Sequence, residues 1–358
     1  VIDGADQPWT RSTCPYGGVG CGVLLRRDGD GGLEVKGDDA HSANLGRLCS
    51  KGTALAETVG LDHRLLRPRV NGQDAGWDDA PGAVGALLML LRMKEETAEE
   101  IAGFAEAASS TAPTSPPADL DWPSYAAGRT RGQPWFLLSA RLVADTGHRV
   151  LLHGWNGPDR KVRDGLAEAG IGLAEDPEDA ARLLDRDRIA YMPLKSLHPG
   201  LFRLLNLRDV LGLRSCVNTV CRMLNPARAA ASVKGVFHPF YRQLQADAAM
   251  HLGWQALSII KGAGGEFESN PAKDITAFGL RQGRPWQETR PVLRDETRKL
   301  NTEGDLALSD LWQGLRRPPF ETDLVVTTTA LALDTLGHAN AVRQADLLWQ
   351  NRARRCAA

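Results

Sequence analysis

An α/β fold is what this sequence predicts: a mainly parallel sheet flanked by helices, a truncated helical subdomain before it, and a small cysteine-bearing module in front. Three observations predict it. Short apolar runs alternate with amphipathic stretches from about residue 134 to 260. The texture of the chain changes abruptly at Asp79-Ala80-Pro81-Gly82. Three of the six cysteines fall early, at 14, 21 and 49. Strand–helix alternation marks parallel pairing, because parallel neighbours need a crossover and a helix supplies it.

Taken in order, residues 1–80 are rich in Gly and Asp, with strand-like runs at 22–25 and 33–35. Such a module has too little core to fold without a metal staple. Residues 84–108 read as helix, with Leu87, Leu88, Leu91, Ile101 and Phe104 apolar and a charged stretch at 95–100. Ser, Thr and Pro make 109–117 a linker. Helix is predicted at 134–146, 159–169, 177–184, 201–211, 218–224 and 239–252. Strands are predicted at 150–153, 189–192, 233–237 and 256–260. Helices at 306–315, 323–336 and 339–351 close the chain. The implied divisions are 1–80, 81–112 and 118–358.

The 358 residues suffice for about two domains. A composition of 42% hydrophobic and 24% charged residues fits an ordinary globular chain. The formal net charge of −1 gives no bulk attraction to nucleic acid, so any such partner must be recognised by local clusters. The best apolar run, 83–93, is too short for a bilayer. Residues 1–15 carry Asp3, Asp6 and Arg11 and no apolar signal core, so a cytoplasmic location and no membrane partner are expected. The cysteines then read as thiols or metal ligands rather than disulfides. Cys216 and Cys221, five apart on a predicted helix, read as core; Cys356, in a basic tail, reads as a free thiol.

The run Cys14-Pro15-Tyr16-Gly17-Gly18-Val19-Gly20-Cys21-Gly22, followed by Cys49-Ser50-Lys51-Gly52, resembles the start of molybdopterin oxidoreductases, assimilatory nitrate reductases above all. Gly37-Asp38, Asn44-Leu45-Gly46-Arg47-Leu48, Arg64-Leu65-Leu66 and Trp77-Asp78-Asp79-Ala80 extend the likeness over about 10–80. In that family four cysteines hold a [4Fe-4S] cluster, which makes Cys14, Cys21 and Cys49 iron–sulfur ligands and Lys51 an electron-transfer residue. Where the family has a further cysteine this chain has Gly17. Three cysteines suit a three-iron cluster or a cubane with an exogenous ligand; the bland alternative is that no cluster assembles. The family's molybdenum domains have no counterpart after residue 80, so no molybdopterin and no nitrate reduction by this chain alone are expected.

The stretch from Gly85 to Lys94 with Glu95 to Ile101 resembles the helical N-terminal domain of glycosyltransferase family 3. His153-Gly154, Leu211-Gly212-Leu213-Arg214-Ser215, Asn218, Asn225-Pro226-Ala227, Gly235-Val236 with His238-Pro239, and Gly264-Gly265-Glu266 continue it. Their order is similar to anthranilate phosphoribosyltransferase and its paralogues over about 83–350. The resemblance implies a phosphoribosyltransferase/nucleoside phosphorylase-like sheet, and His153, Arg214 and Asn218 as substrate-binding residues. Bland alternatives are a capped strand-end histidine and an ion-paired surface arginine. Catalysis needs a phosphate cradle of closely spaced N–H groups and Mg²⁺ on carboxylates. The family's Gly-Thr-Gly-Gly-Asp loop is replaced here by Asp121-Trp122-Pro123-Ser124-Tyr125-Ala126-Ala127-Gly128-Arg129-Thr130. Its adjacent Asp-Glu metal pair is replaced by Glu266-Phe267-Glu268, a possible Mg site of two alternate carboxylates.

Trp122-Pro123-Ser124-Tyr125 and Asp159-Arg160-Lys161-Val162 look closer to a nucleic-acid-binding branch of that family. Arg281, Arg284, Arg290, Arg294, Arg298 and Lys299 cluster around Trp286, and Arg203, Arg208, Arg214, Arg222 and Arg228 recur along another stretch. Arginine beside an aromatic ring suits phosphate contact and base stacking. A solvated face balanced by Glu288, Asp295 and Glu296 is the plainer alternative. The helices that precede residue 84 in the family are replaced by the cysteine module, as in a gene fusion. An uncovered Leu87, Leu88 and Leu91 face makes a homodimer the expectation. The expected function is binding of single-stranded nucleic acid or a phosphorylated ligand with little or no transfer. One alternative is an active phosphoribosyl transferase using phosphoribosyl pyrophosphate and Mg; another is an iron–sulfur electron-transfer fragment.

Overall fold

A computed structural model describes residues 8–15, 20–27, 32–58, 69–70, 73–74, 80–126, 132–155, 157, 160–295 and 306–355. The chain divides into two compact units, Val1–Met93 and Lys94–Ala358. Among the described residues no helix is long and apolar enough to cross a membrane.

The N-terminal unit is built on a three-stranded antiparallel sheet, β1 (Thr10–Thr13), β2 (Gly22–Arg27) and β3 (Leu33–Gly37), in the order β1-β2-β3. Its core is small: Cys14, Val23 and Leu55, with Cys21, Leu25, Val35 and Leu48 packed around them. Polar bonds supplement that core. Asn44 takes both the N–H and the carbonyl of Gly22, at 2.8 and 3.0 Å, which ties the 38–47 loop to the start of β2. Asp38 accepts from the Ala40 N–H at 3.0 Å and pairs with Arg11 at 3.1 Å. Both predicted strand runs lie inside β2 and β3.

The predicted helix at 84–108 is two helices, Ala80–Lys94 and Ala98–Thr111. The break is chemical. Glu95 has φ 66°, and Thr97 and Glu100 form a capping box that starts the second helix afresh. On the first helix Leu88 and Leu91 are buried, whereas Leu87, Leu90 and Met93 are exposed. The linker expected at 109–117 loses its first three residues to helix Ala98–Thr111.

The C-terminal unit carries an eight-stranded sheet. Its strands are β4 (Leu120–Ser124), β5 (Val150–Gly154), β6 (Gly172–Leu173), β7 (Ile189–Pro193), β8 (Ala231–Val236), β9 (Ala256–Lys261), β10 (Ile275–Arg281) and β11 (Arg284–Arg290). The order across the sheet is β11-β10-β9-β8-β4-β5-β7-β6. Pairing is parallel from β9 to β6 and antiparallel at β9–β10 and β10–β11. The predicted mainly parallel sheet is observed, flanked by helices. Two features that shape the site were not predicted. The strand at 120–124 holds an aspartate and a proline, both unusual inside strands. The β10–β11 hairpin occupies the arginine-rich stretch and turns at Gln282-Gly283, both with positive φ (52° and 73°).

Alternation in the parallel strands separates two chemistries. Trp122, Leu152 and Val233 join a large apolar cluster with helices Phe136–Ala144, Pro319–Thr335 and Ala341–Arg355. Trp122 stacks near Phe136 and meets Phe267 edge-on, at 6.3 and 5.4 Å between centroids. Residues one step along, Asp121, His153, Ser232 and Lys234, are polar, fully buried and on the opposite face. Helices Ala98–Thr111, Val217–Arg222 and Phe240–His251 pack as a second group, and the last two contact the sheet.

Cysteine environments differ sharply between the units. Cys49 is exposed, and bonds from the Gly52 and Lys51 backbone hold its thiol below the ordinary range. Burial pushes Cys216 up to about 11 and Cys221 higher still. Thiolate is the reactive form. Iodoacetamide at neutral pH is therefore expected to label Cys49 long before Cys216 or Cys221 in the folded chain, with peptide mass mapping as the readout.

Candidate functional site

The chain leaves β4 towards β5 on one side and later returns to β8 on the other, so the sheet's switch point lies between β4 and β8. Open α/β sheets bind ligands off the carboxyl ends of strands near such a point. Here a buried polar network fills that place. His153 Nδ1 lies 2.9 Å from Tyr125 Oη, and its Nε2 lies 3.0 Å from Asp121 Oδ1. Asp121 Oδ2 accepts from Ser232 Oγ at 2.6 Å and meets Lys234 Nζ at 3.5 Å. Lys234 also donates to the Arg222 carbonyl and sits 4.5 Å from the centre of the Trp254 ring.

Burial alone would raise the Asp121 carboxyl, but Lys234, His153 and Ser232 outweigh it and hold it low. Burial lowers Lys234 to about 8 against the opposing pull of Asp121. At neutral pH the pair is thus carboxylate and ammonium. Burial also drives the Tyr125 phenol well above its usual value. The His153 of the sequence motif has both ring nitrogens committed inside this network.

Next to it lie the two carboxylates of Glu266-Phe267-Glu268. Glu266 Oε1 accepts from Ser124 Oγ at 2.9 Å and from the Ala126 N–H at 3.1 Å. Glu268 Oε1 accepts from the Phe136 N–H at 3.1 Å, at the start of helix Phe136–Ala144. A Cβ on Gly235 or Gly262 would fall 2.0 or 1.5 Å from Glu266 backbone atoms, so glycine is what lets this segment close on the sheet. Arg222 is buried and donates to the Gly235 and Gly265 carbonyls, so this member of the second arginine series faces inward. Ala127 to Arg131, which include the last four residues of the expected cradle segment, lie outside the described residues.

A cavity of about 410 Å³ opens off the carboxyl end of β5. Trp155, Arg163, Arg208, Arg214, Ser215 and Asn218 line it. Trp155 meets Phe202 edge-on at 4.8 Å, and the Arg163 guanidinium lies 5.0 Å from the indole centre. Arg163 Nε is a buried donor with no partner among the described residues. Asn218 Nδ2 is held by the Tyr125 carbonyl at 3.4 Å, which links the cavity wall to the polar network. Arg214 and Asn218 thus share one cavity, and His153 stands behind it. Sequence reasoning missed Trp155, Arg163, Asp121 and Lys234. Lys234 left a signal, a lone charge inside the strand predicted at 233–237.

Most of the arginine cluster is neutralised in place. Arg281 pairs with Asp334 at 2.8 Å and lies 3.8 Å from the centre of the Trp286 ring. Arg290 approaches Asp334 and Glu288 at 3.4 and 3.6 Å, and Arg294 pairs with Asp323. Arg284 is exposed, and Arg298 lies outside the described residues.

In the N-terminal unit the Cys14 N–H donates to the Cys21 carbonyl at 2.8 Å, and Cys49 precedes the short helix Ser50–Thr53 that contains the exposed Lys51. Gly17 lies outside the described residues. Among the described residues no three His, Cys, Asp or Glu side chains gather as a metal site. A cubane takes four thiolates. Three cysteines and Gly17 do not make that set.

Comparison with known proteins decides the family. A model described as the glycosyl transferase family, a/b domain, matches residues 137–346. The chain belongs to the glycosyl transferase family. That family's helical bundle domain matches residues 80–112, and the molybdopterin oxidoreductase Fe4S4 domain matches residues 7–60. The chain is thus an Fe4S4-type segment joined to a glycosyl transferase family member. A nitrate reductase of Klebsiella oxytoca is 56% identical over 79 residues, 22% of this chain and 9% of that protein. An anthranilate phosphoribosyltransferase of Haloarcula marismortui is 32% identical over 196 residues, 52% of this chain and 59% of that one. The chain therefore spans little more than half of such relatives. The anthranilate phosphoribosyltransferase structure from Thermus thermophilus superposes with a TM-score of 0.62 at 22% identity, covering 78% of this chain and 91% of that one. The Saccharomyces cerevisiae enzyme in complex with PRPP and Mg gives 0.62 at 18%, covering 76% and 80%. These last two establish the fold.

Proposed function

We propose that the glycosyl transferase unit binds a phosphate-bearing ligand, single-stranded nucleic acid included, and carries out little or no phosphoribosyl transfer. The observation behind this reading is how charge is divided around the strand ends. Arg163, Arg208 and Arg214 outnumber the one carboxylate, Asp209, in a cavity with an indole face, whereas two buried carboxylates take the N–H groups of Ala126 and Phe136. Guanidinium groups match phosphate oxygens, and an indole accepts a stacked base. A carboxylate already seated on a helix N-terminus repels the phosphate that would otherwise bind there. It also leaves Glu266 and Glu268 on separate partners rather than on one Mg²⁺.

Fluorescence anisotropy with a labelled single-stranded oligonucleotide tests the reading. Affinity is expected to fall with salt at a log–log slope of about −0.7 per phosphate engaged. Arg163→Ala and Arg214→Ala should each weaken binding about ten- to a hundredfold, in line with roughly 1.5–3 kcal/mol for a hydrogen bond to a charged group. Anthranilate, phosphoribosyl pyrophosphate and Mg²⁺ should yield no ribosylated product. Salt-independent binding, unaffected variants or steady turnover would each overturn it.

A further inference from the structure

The cavity off the carboxyl end of β5 takes its walls from separate segments of the chain. Trp155 follows β5, and Arg163 comes from helix Lys161–Glu168. Arg208 and Asp209 open the short helix Arg208–Leu211, and Arg214 stands just before helix Val217–Arg222, which supplies Asn218. Behind Asn218 the protein is solid: its Nδ2 is held by the Tyr125 carbonyl, and Tyr125 and His153 are fully buried. A strand entering from solvent finds no exit on that side. At about 410 Å³ the space is near the small end of ligand pockets, enough for one nucleotide and too little for a run of them.

Charge narrows the ligand further. Among the described lining residues the guanidiniums of Arg163, Arg208 and Arg214 stand against one carboxylate, Asp209, an excess of two positive charges. Arg208 is exposed, and among the described residues its guanidinium has no carboxylate partner. Arg163 Nη2 donates to the Gly157 carbonyl at 3.2 Å, while its Nε is buried with no partner among the described residues. A phosphodiester inside a strand carries a single charge. A terminal phosphomonoester carries about −1.5 to −2 near neutral pH and offers three strong acceptor oxygens. The monoester matches the excess; the diester leaves part of it unneutralised.

Resting on the phosphate-ligand reading above, we infer that the cavity takes a nucleotide ending in a phosphomonoester, its phosphate held by the three arginines and its base set against Trp155. A strand end and a free mononucleotide share that chemistry. The Arg163 guanidinium, 5.0 Å from the indole centre, and Phe202, edge-on at 4.8 Å, fix the ring that the base meets. Asp209 opposes the attraction, and by Coulomb's law it opposes a doubly charged phosphate about twice as strongly as a singly charged one. Its removal therefore favours the monoester.

The test titrates the full chain into oligonucleotides of one sequence, labelled internally and ending in a 5′-phosphate, a 3′-phosphate or hydroxyls alone. An end phosphate is expected to tighten binding about tenfold or more. Unlabelled adenosine 5′-monophosphate should compete, and adenosine should not. Competition as strong as that of the phosphorylated strand identifies the free nucleotide as the ligand; weaker competition identifies the strand end. Arg208→Gln, at an exposed side chain whose loss leaves the fold intact, should erase the difference between ends. Asp209→Asn should widen it severalfold, a gain that no folding defect produces. Equal affinity for phosphate and hydroxyl ends, or a preference that neither variant moves, overturns the inference and leaves the broader reading standing. No binding of any probe at low salt overturns both.

Discussion

Replacing Asp121 with alanine is expected to destabilise the C-terminal unit by about 3–5 kcal/mol, the cost of leaving a buried charge without its counter-ion. The substitution strands Lys234 and removes the partner of both His153 Nε2 and Ser232 Oγ. Urea unfolding followed by tryptophan fluorescence would read it as a lower midpoint. Adding Lys234→Met should recover most of the loss, because the unpaired ammonium goes with it. A double variant no more stable than Asp121→Ala alone would mean that the carboxylate acts mainly through His153 and Ser232. The pair also sets a pH dependence. Lys234 titrates at about 8 in the folded chain and near 10.5 when unfolded, so between those values the unfolded state binds more protons. Stability should therefore rise with pH from about 8, until unfolded-state ionisation of Tyr125 opposes it near 10. In Lys234→Met that rise should vanish.

Iron and sulfide supplied anaerobically should yield a four-thiolate cubane in Gly17→Cys and none in the wild-type chain. The variant is expected to hold about four irons and four sulfides with the broad visible absorbance of a [4Fe-4S] cluster. The wild type has three cysteines in this unit, and Gly17 stands where the resemblance to molybdopterin oxidoreductases implies a further one. Thermal melts without iron, run on both chains, distinguish a ligand effect from a folding defect. Equal, fully occupied cubanes in both would show that another group completes the set.

Much of the fold was legible because its signals are local. Runs such as Val-Leu-Leu at 150–152 and Ile-Ala-Tyr-Met at 189–192 are strands by composition, and each lies where a crossover helix can reach the next. The capping box at Thr97 and Glu100 was equally present in the sequence, but a continuous apolar pattern masked the break before it. β4 was not legible. Its aspartate and proline argue against a strand, and only burial between β8 and β5 makes it one. The arginine stretch shows the converse: charge density was visible, while the carboxylates that neutralise it come from Asp323 and Asp334, far along the chain.

Residue order alone dictated the likeness to two families, the parallel sheet, the three early cysteines with Gly17 among them, and the absence of a glycine-rich loop at 121–130. These depend on residue type, spacing and backbone freedom, which neighbours in the chain express directly. It took the folded chain to show that His153 turns inward to Asp121 and Tyr125, that Arg163 joins Arg214 around one cavity, and that His148 meets His338. The histidine contacts join residues from about 28 to 190 positions apart, brought together by sheet register and helix packing. Hydrogen bonds act over about 3 Å, and linear order does not report that distance.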